Sequence, residues 1–505
     1  MSGPLRLVPD EAGPEWAEQT MQLRTLPRQR RRPAPEPADD GLGLCADPID
    51  ALAERLADIC ADAVHPYEIA AFLESDGLTD EQAALNYGRP DSFTLAEELF
   101  AKVARRYPGP AAEFANPWRA DPWRCVVRGL VFALPGLGYL LGANLFAVDR
   151  MRFGLPSGML ALSVATLVSW SWNQALAHRS YAWLGRGRRR ASGRCLAIGA
   201  PAGALAAACA GYAVGGPRSS LYFAAGQSGY LAAATVLLVL GREKSLLVAL
   251  APSALGAGVV LAIDVPQAVR TSVLLATLAL ALALAAREVL RCLRAEQDGT
   301  ALRLPLSQEL PHGLFGLAVG TLTLIAGLGT TIHQAVDSGG APATTAASPT
   351  GPAMIALTLS LGLAEWLLFR YRAMAVAALR TSHTPGQFVR RTGGVLVGCL
   401  LTYLTTVAAL DAAATVLWPG APTLGAVELG ALLVLGGALW LALLLNAFGH
   451  SWSTALICLA TAVAECAGLL TGFEPTLLQL VGCGAAALVL TSIAGPALGR
   501  TTKHR

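Results

Sequence analysis

The chain has 505 residues, 54% of them hydrophobic and 14% charged, with a formal net charge of +3; a soluble protein carries about 25% charged residues. So small a net charge speaks against a nucleic-acid partner. The ten cysteines are scattered singly with no CxxC and no histidine at ligand spacing, which predicts no metal site. Charge is dense up to residue 124 and sparse from 125 to 500, so a soluble part precedes a membrane part.

Residues 1–46 are rich in Pro, Arg and acids, including the run Arg28 to Arg32, and read as a disordered tail. They contain no early apolar core of the kind a signal peptide needs. The Arg run is either solvated or touches anionic lipid. Residues 47–110 read as a small helical cytosolic module. Ile49, Leu52, Leu56 and Ile59 fall at helical spacing between Asp47 and Val64. His65-Pro66 breaks that helix and opens a second, through Phe72 and Leu73. Thr79 is placed as an N-cap with Glu81 and Gln82 in the first turn. Gly88 to Pro90 form a turn, and a last helix runs from Ser92 to about Arg106. The last two helices have helix-turn-helix spacing, yet the second opens with the acidic Ser92-Phe-Thr-Leu-Ala-Glu-Glu-Leu-Phe100, where a DNA reader needs Arg or Lys. The module therefore docks a cytosolic protein at 47–107 or serves as a structural cap, and no nucleic acid is expected.

From residue 125 onward, twelve apolar runs recur, at roughly 126–148, 155–177, 195–215, 219–240, 245–264, 268–286, 313–332, 353–371, 393–411, 423–446, 451–471 and 475–498. Each is about 20 residues, enough to cross a bilayer as a helix. Connections after even-numbered runs are basic except the tenth, which holds only His450: Arg179 to Arg194 follow the second, Arg242 and Lys244 the fourth, Arg287 to Arg303 the sixth, Arg370 to Arg391 the eighth, and Arg500 to Arg505 stand at the end. The opposite connections hold only Arg150, Arg152, Arg218 and Arg270, and the Ala/Thr/Pro-rich 333–352, read as disordered, holds no Lys or Arg. This alternation predicts a multi-pass protein of the cell membrane, in contact with membrane lipids, with both termini cytoplasmic.

Sliding the chain by 191 residues brings Gly129, Gly136 and Gly138 onto Gly320, Gly327 and Gly329. It also brings Gln174, Arg179 and Ala182 onto Glu365, Arg370 and Ala373, and Tyr212 onto Tyr403. Six helices per repeat is an even number, so the two halves would point the same way. The expected fold is all-α: about twelve transmembrane helices as two parallel six-helix bundles, 125–290 and 313–500, joined by a cytosolic linker 291–312. On this plan, and on the stretch Trp172-Asn-Gln-Ala-Leu-Ala-His-Arg179 running into a basic loop with its counterpart Ala364-Glu-Trp-Leu-Leu-Phe-Arg-Tyr-Arg372, the chain resembles the MOP exporter superfamily of multidrug extruders, polysaccharide flippases and lipid II flippases. The resemblance implies alternating access to a cleft between the halves. The basic loop from Gly185 to Arg194 lacks the acid expected in major facilitators.

Polar residues inside apolar runs need a reason, because charge at the bilayer centre is costly. Gln174, Glu365, Asn173 and Glu465 are substrate-binding candidates; for Glu365 and Glu465 an interhelical hydrogen bond that fixes packing is an equal alternative, and for Gln174 and Asn173 packing is the favoured one. Glu365 leads, since Arg370 and Arg372 are not ideal partners along its own helix. Arg179 and Arg370 at the cytoplasmic ends grip a diphosphate head group or snorkel. Glu428 is placed at a wetted outer turn. No Walker loop, HExxH or GxSxG is present, so no enzyme, catalytic residue or cofactor is expected. The leading function is a transporter or flippase moving a lipid-linked saccharide or amphipathic solute. The alternatives are a non-transporting membrane scaffold that recruits a partner through the module, and multidrug efflux.

Overall fold

The computed structural model describes residues 47–105, 122–142, 151–152, 155–215, 219–295, 306–337, 351–417 and 424–499. The tail 1–46 with its Arg run, the stretch 338–350 and the end of the first apolar run lie outside the described residues. Contacts divide the chain into two units, one around the described residues 47–105 and the other around 122–499.

In the first unit, α1 (Pro48–Arg55) and α2 (Ala57–Asp62) stand where one helix is expected from Asp47 to Val64. Leu56 leaves helical geometry at φ −103° and ψ 14°, which breaks the run, while its side chain stays in the core. Then come α3 (Pro66–Ser75), α4 (Asp80–Tyr87) and α5 (Ser92–Lys102). Thr79 and Gln82 close a capping box at the start of α4, which satisfies two backbone N–H groups that a helix start leaves bare. Gly88 ends α4 in the left-handed region at φ 66°, open to Gly at no steric cost. Asp91 caps α5 by accepting from Thr94 N at 2.6 Å. Ile49, Leu52, Cys60, Ile69, Leu73, Leu95 and Leu99 meet in one small core.

The second unit is built of long helices. The first rod is α6 (Pro122–Ala133), a 3-10 turn at Leu134–Gly136 and α7 (Leu137–Gly142). Pro135 lies in the 3-10 turn, where its missing N–H costs the helix a bond. A two-residue antiparallel pairing of Met151–Arg152 with Leu155–Pro156 follows. After it come α8 (Ser157–Leu184), α9 (Arg189–Gly215), α10 (Ser219–Val239), α11 (Glu243–Ala262) and α12 (Gln267–Leu293). The chain continues with α13 (Leu310–Asp337), α14 (Gly351–Thr381), α15 (Pro385–Leu417), α16 (Ala426–Ala447), α17 (Ser451–Leu470) and α18 (Pro475–Leu498). Among the described residues, 11 helical stretches are long and apolar enough to cross a membrane. The other long helix, α8, is 28 residues but polar towards its end, with Asn173, Gln174, His178 and Arg179. The protein is thus an all-α polytopic membrane protein.

The two parts of this unit repeat each other in packing. One core draws on the first rod and α8 to α12, the other on α13 to α18. In the first part the rod packs on α11 and α12, α8 on α9 and α10, and α10 on α12. In the second part α13 packs on α17 and α18, α14 on α15 and α16, and α16 on α18. The joint between the parts is also two-fold in pattern: α6 packs on α14, and α8 on α13.

Close approach explains the glycines at that joint. A Cβ on Gly362 would sit 2.8 Å from Gly129 Cα, so α6 and α14 cross backbone to backbone. At the other contact, a Cβ on Gly316 would sit 2.7 Å from Trp170 O and 2.8 Å from Gln174 Cγ. Ser171 Oγ donates to Gly313 O at 3.0 Å. Ser171 and Gly362 are 191 residues apart, the spacing of the sequence repeat, while their partners Gly313 and Gly129 are 184 apart, so the two contacts are offset by about two helical turns. The pairing of Tyr212 with Tyr403 does not extend to their surroundings: Tyr403 is buried beside Trp440 and Ser360, whereas Tyr212 is exposed.

Candidate functional site

A cavity of about 570 Å³ lies between the two parts, lined from the first rod, α8, α10, α11 and α12 on one side and α13, α14 and α16 on the other. Most of the lining is Leu, Val, Phe and Gly, and it includes no charged side chain. Its polar side chains are uncharged, and some of them converge. Gln227 Nε2 on α10 donates to Tyr139 Oη at 2.7 Å and to Thr166 Oγ1 at 3.1 Å. Ser253 Oγ donates to Thr277 Oγ1 at 2.6 Å in the wall between α11 and α12. Trp170, Tyr222, Phe223 and Tyr230 supply aromatic surface. An apolar chamber with a few convergent polar groups suits an amphipathic solute, whose hydrogen-bonding part the polar groups orient.

One helical turn past the lining, towards the side where the first rod begins, the surface changes from apolar to charged. The lining ends at Val131 on α6, Leu246 on α11 and Leu361 on α14. The next turn of each presents Arg128, Glu243 and Glu365. Arg128 Nε and Nη2 donate to Glu243 Oε1 at 3.0 and 2.7 Å, and Arg128 Nη1 donates to Glu365 Oε1. On α8 the lining ends at Gln174, and on α13 it begins at Phe315. Their next turns present His178 and His312, stacked with ring centroids 3.7 Å apart. Arg179 lies beside them, 3.3 Å from Glu309. The ion triad and the imidazole stack each join one part of the unit to the other, and together they floor the cavity. The far ends of α10, α12 and α14 remain lined, at Tyr222, Thr271 and Met354.

The side chains expected to bind substrate divide accordingly. Gln174 lines the cavity. Glu365 lies outside the lining, 8% exposed and committed to Arg128, a partner 237 residues away. Asn173 is buried. Arg179 belongs to the floor, and Arg370 is exposed, with its guanidinium 5.1 Å from the Trp366 ring centroid. Glu465 is buried between α17 and α18, away from the cavity lining. Glu428 is exposed in the first turn of α16. Gln227, polar inside the fourth apolar run, was visible in the sequence but not chosen as a binding group, and Tyr139, Thr166, Arg128 and the two histidines were not anticipated. Arg128, Glu243, Glu365, His178 and His312 each stand three or four positions from a lining residue on the same helix, which puts them on the same face one turn further on. Compared with known proteins, the chain matches no family, no curated protein and no solved structure.

Proposed function

We propose that the chain is a membrane transporter that moves an amphipathic solute, uncharged over the part that enters the cavity, by alternating access between its two halves. The observation that carries this reading is the cavity built from both halves and closed at one end only by contacts between them. A floor of ion pairs and stacked rings can part without unfolding either half, because each partner stays in its own core. The absence of Lys and Arg from the lining favours a solute whose buried part is neutral, since a diphosphate would need cationic partners there. A lipid-linked saccharide fits if its phosphates stay outside the chamber. This reading agrees with the resemblance to MOP exporters and with two parallel six-helix halves. The basic connections lie on the floor side, so by the positive-inside rule that side is cytoplasmic in a cell membrane, and the cavity faces outward.

A second reading, a scaffold that recruits a cytosolic partner, is favoured by Val64, Tyr67, Leu85 and Phe93, which are exposed on the N-terminal module. The deciding experiment compares lipid and metabolite profiles of a deletion strain complemented with the full chain, with Gln227→Leu, or lacking residues 1–110. Transport predicts accumulation of one amphipathic compound on deletion, relieved by the full chain and poorly by Gln227→Leu. A profile that tracks only the loss of residues 1–110 favours the scaffold.

A further inference from the structure

Away from the cavity, Glu465 on α17 is 1% exposed. Its Oε1 accepts a hydrogen bond from Cys483 Sγ on α18 at 3.3 Å, and its Oε2 is buried without a partner. Cys458, Ala462 and Leu490 of the same core surround this part of the helix pair. Gly482 leaves the carboxyl its space, because a Cβ there would come within 2.8 Å of Oε1. Among the described residues no ion pair reaches Glu465. The Cys466 thiol is the next residue along α17, and the other titratable or charged groups on the elements packed around Glu465 are held elsewhere. His312 of α13 is stacked on His178, and His333 and Asp337 stand near the end of that helix. Glu474 caps α18 by accepting from Thr476 N and Leu477 N, Glu428 is exposed on α16, and His450 stands at the start of α17.

Aligning the two parts by their helix starts places apolar residues of the first part where the second part has this pair. The helices α11 and α17 begin at 243 and 451, and α12 and α18 at 267 and 475, an offset of 208 in both cases (451 − 243 and 475 − 267). That offset carries Leu274 onto Gly482, Leu275 onto Cys483 and Ala257 onto Glu465. Leu274 and Leu275 line the cavity in the first half. In the second half the same surface is hollowed by a glycine and filled by a carboxyl.

We propose that Glu465 is a proton-binding site, occupied in this conformation, with the proton on Oε2 and Oε1 left as the acceptor for the Cys483 thiol. The step is simple: the carboxylate takes one proton from water to become the neutral acid, and gives it back to water. A bare carboxylate among sulfur, glycine and aliphatic carbon lacks both a cation and a donor for one oxygen, whereas the neutral acid avoids burying a charge. Proton release therefore requires water between α17 and α18, so occupancy is linked to the closed packing of these two helices. Both also pack on α13, one of the helices that joins the halves.

The test is infrared spectroscopy of the full-length protein in lipid nanodiscs, read as the carbonyl stretch of a protonated carboxyl while pH is raised from neutral. The expected result is a band in the wild type at neutral pH that is missing from Glu465→Gln and displaced in frequency in Cys483→Ala, which loses the thiol donor. A spectrum that neither substitution alters overturns the proposal. If Glu465→Gln fails to fold, Cys483→Ala decides: a displaced band supports the proton on Glu465, and an unmoved spectrum refutes it. The spectrum is read on the resting protein without cargo, so it stands apart from the transport reading.

Discussion

At the scale of single residues, Arg128 holds a carboxylate from its own half and one from the other. Removing it deprives Glu243 and Glu365 of their shared cation, and breaking a buried pair in this way costs about 3–5 kcal/mol. Neutralising Glu365 leaves Arg128 its bonds to Glu243. Arg128→Ala should therefore lower the unfolding temperature of the purified protein clearly more than Glu365→Gln does; equal losses, or the reverse order, would contradict the triad. Glu365 also shows where sequence reading stopped. Its own helix offers no good partner, which was visible locally, but the partner that neutralises it comes from a helix 237 residues earlier. Pairing at that range is set by tertiary packing and leaves no periodic trace. Tyr139, Thr166 and Gln227 escaped for a related reason: single hydroxyls and amides are ordinary in membrane helices, and only their convergence marks a site.

At the scale of elements, the N-terminal module depends on its caps. Thr79→Ala removes one side of the capping box and should cost about 0.5–2 kcal/mol. In the full-length protein this should appear as faster amide exchange across α4, with no change in α8 to α18. Its carboxylates add a pH dependence. Asp91 is held below the usual carboxylate range first by the Thr94 backbone N–H, and Glu98 first by the Arg89 hydrogen bond. Such groups ionise more readily folded than unfolded. Their stabilisation is complete above the ordinary carboxylate value and is lost as pH falls through the lower folded value. Exchange protection of residues 47–105 should thus weaken on acidification below the ordinary range and hold near neutrality; protection that improves in acid would reverse the sign. The cap of α4 could be seen in sequence because Thr79 and Gln82 are three apart, whereas the Asp91 cap of α5 was not read. The break at Leu56 could not, since an apolar residue at helical spacing gives no sign that its backbone departs from the helix.

At the scale of the whole molecule, orientation is the property that sequence charge speaks to most directly. Ser348→Cys should react with a membrane-impermeant maleimide on intact cells, and Thr501→Cys only after permeabilisation. Labelling of both, or the opposite pattern, would refute an even number of spans with both ends inside. The periodicity of apolar runs conveyed the helices well, because each must be long and apolar to exist in a bilayer. The repeat was legible at the joint, where Ser171 and Gly362 keep the 191-residue spacing. It blurred afterwards because the connections differ in length, and the last helix pairs are 208 residues apart.

The crossing of Gly129 with Gly362 has a mechanical consequence. Where two backbones touch, relative displacement is least, and the contact acts as an axle. Arg128 is the next residue to that axle, whereas Tyr139 is ten residues away, about 15 Å along the rod at 1.5 Å per residue. A tilt of one half about this contact would move the end of the rod at Tyr139 further than Arg128, so parting the charged floor requires the Gly129–Gly362 crossing itself to slide or separate. The second joint, α8 on α13, constrains the same movement, so both close contacts must give way together for the floor to open.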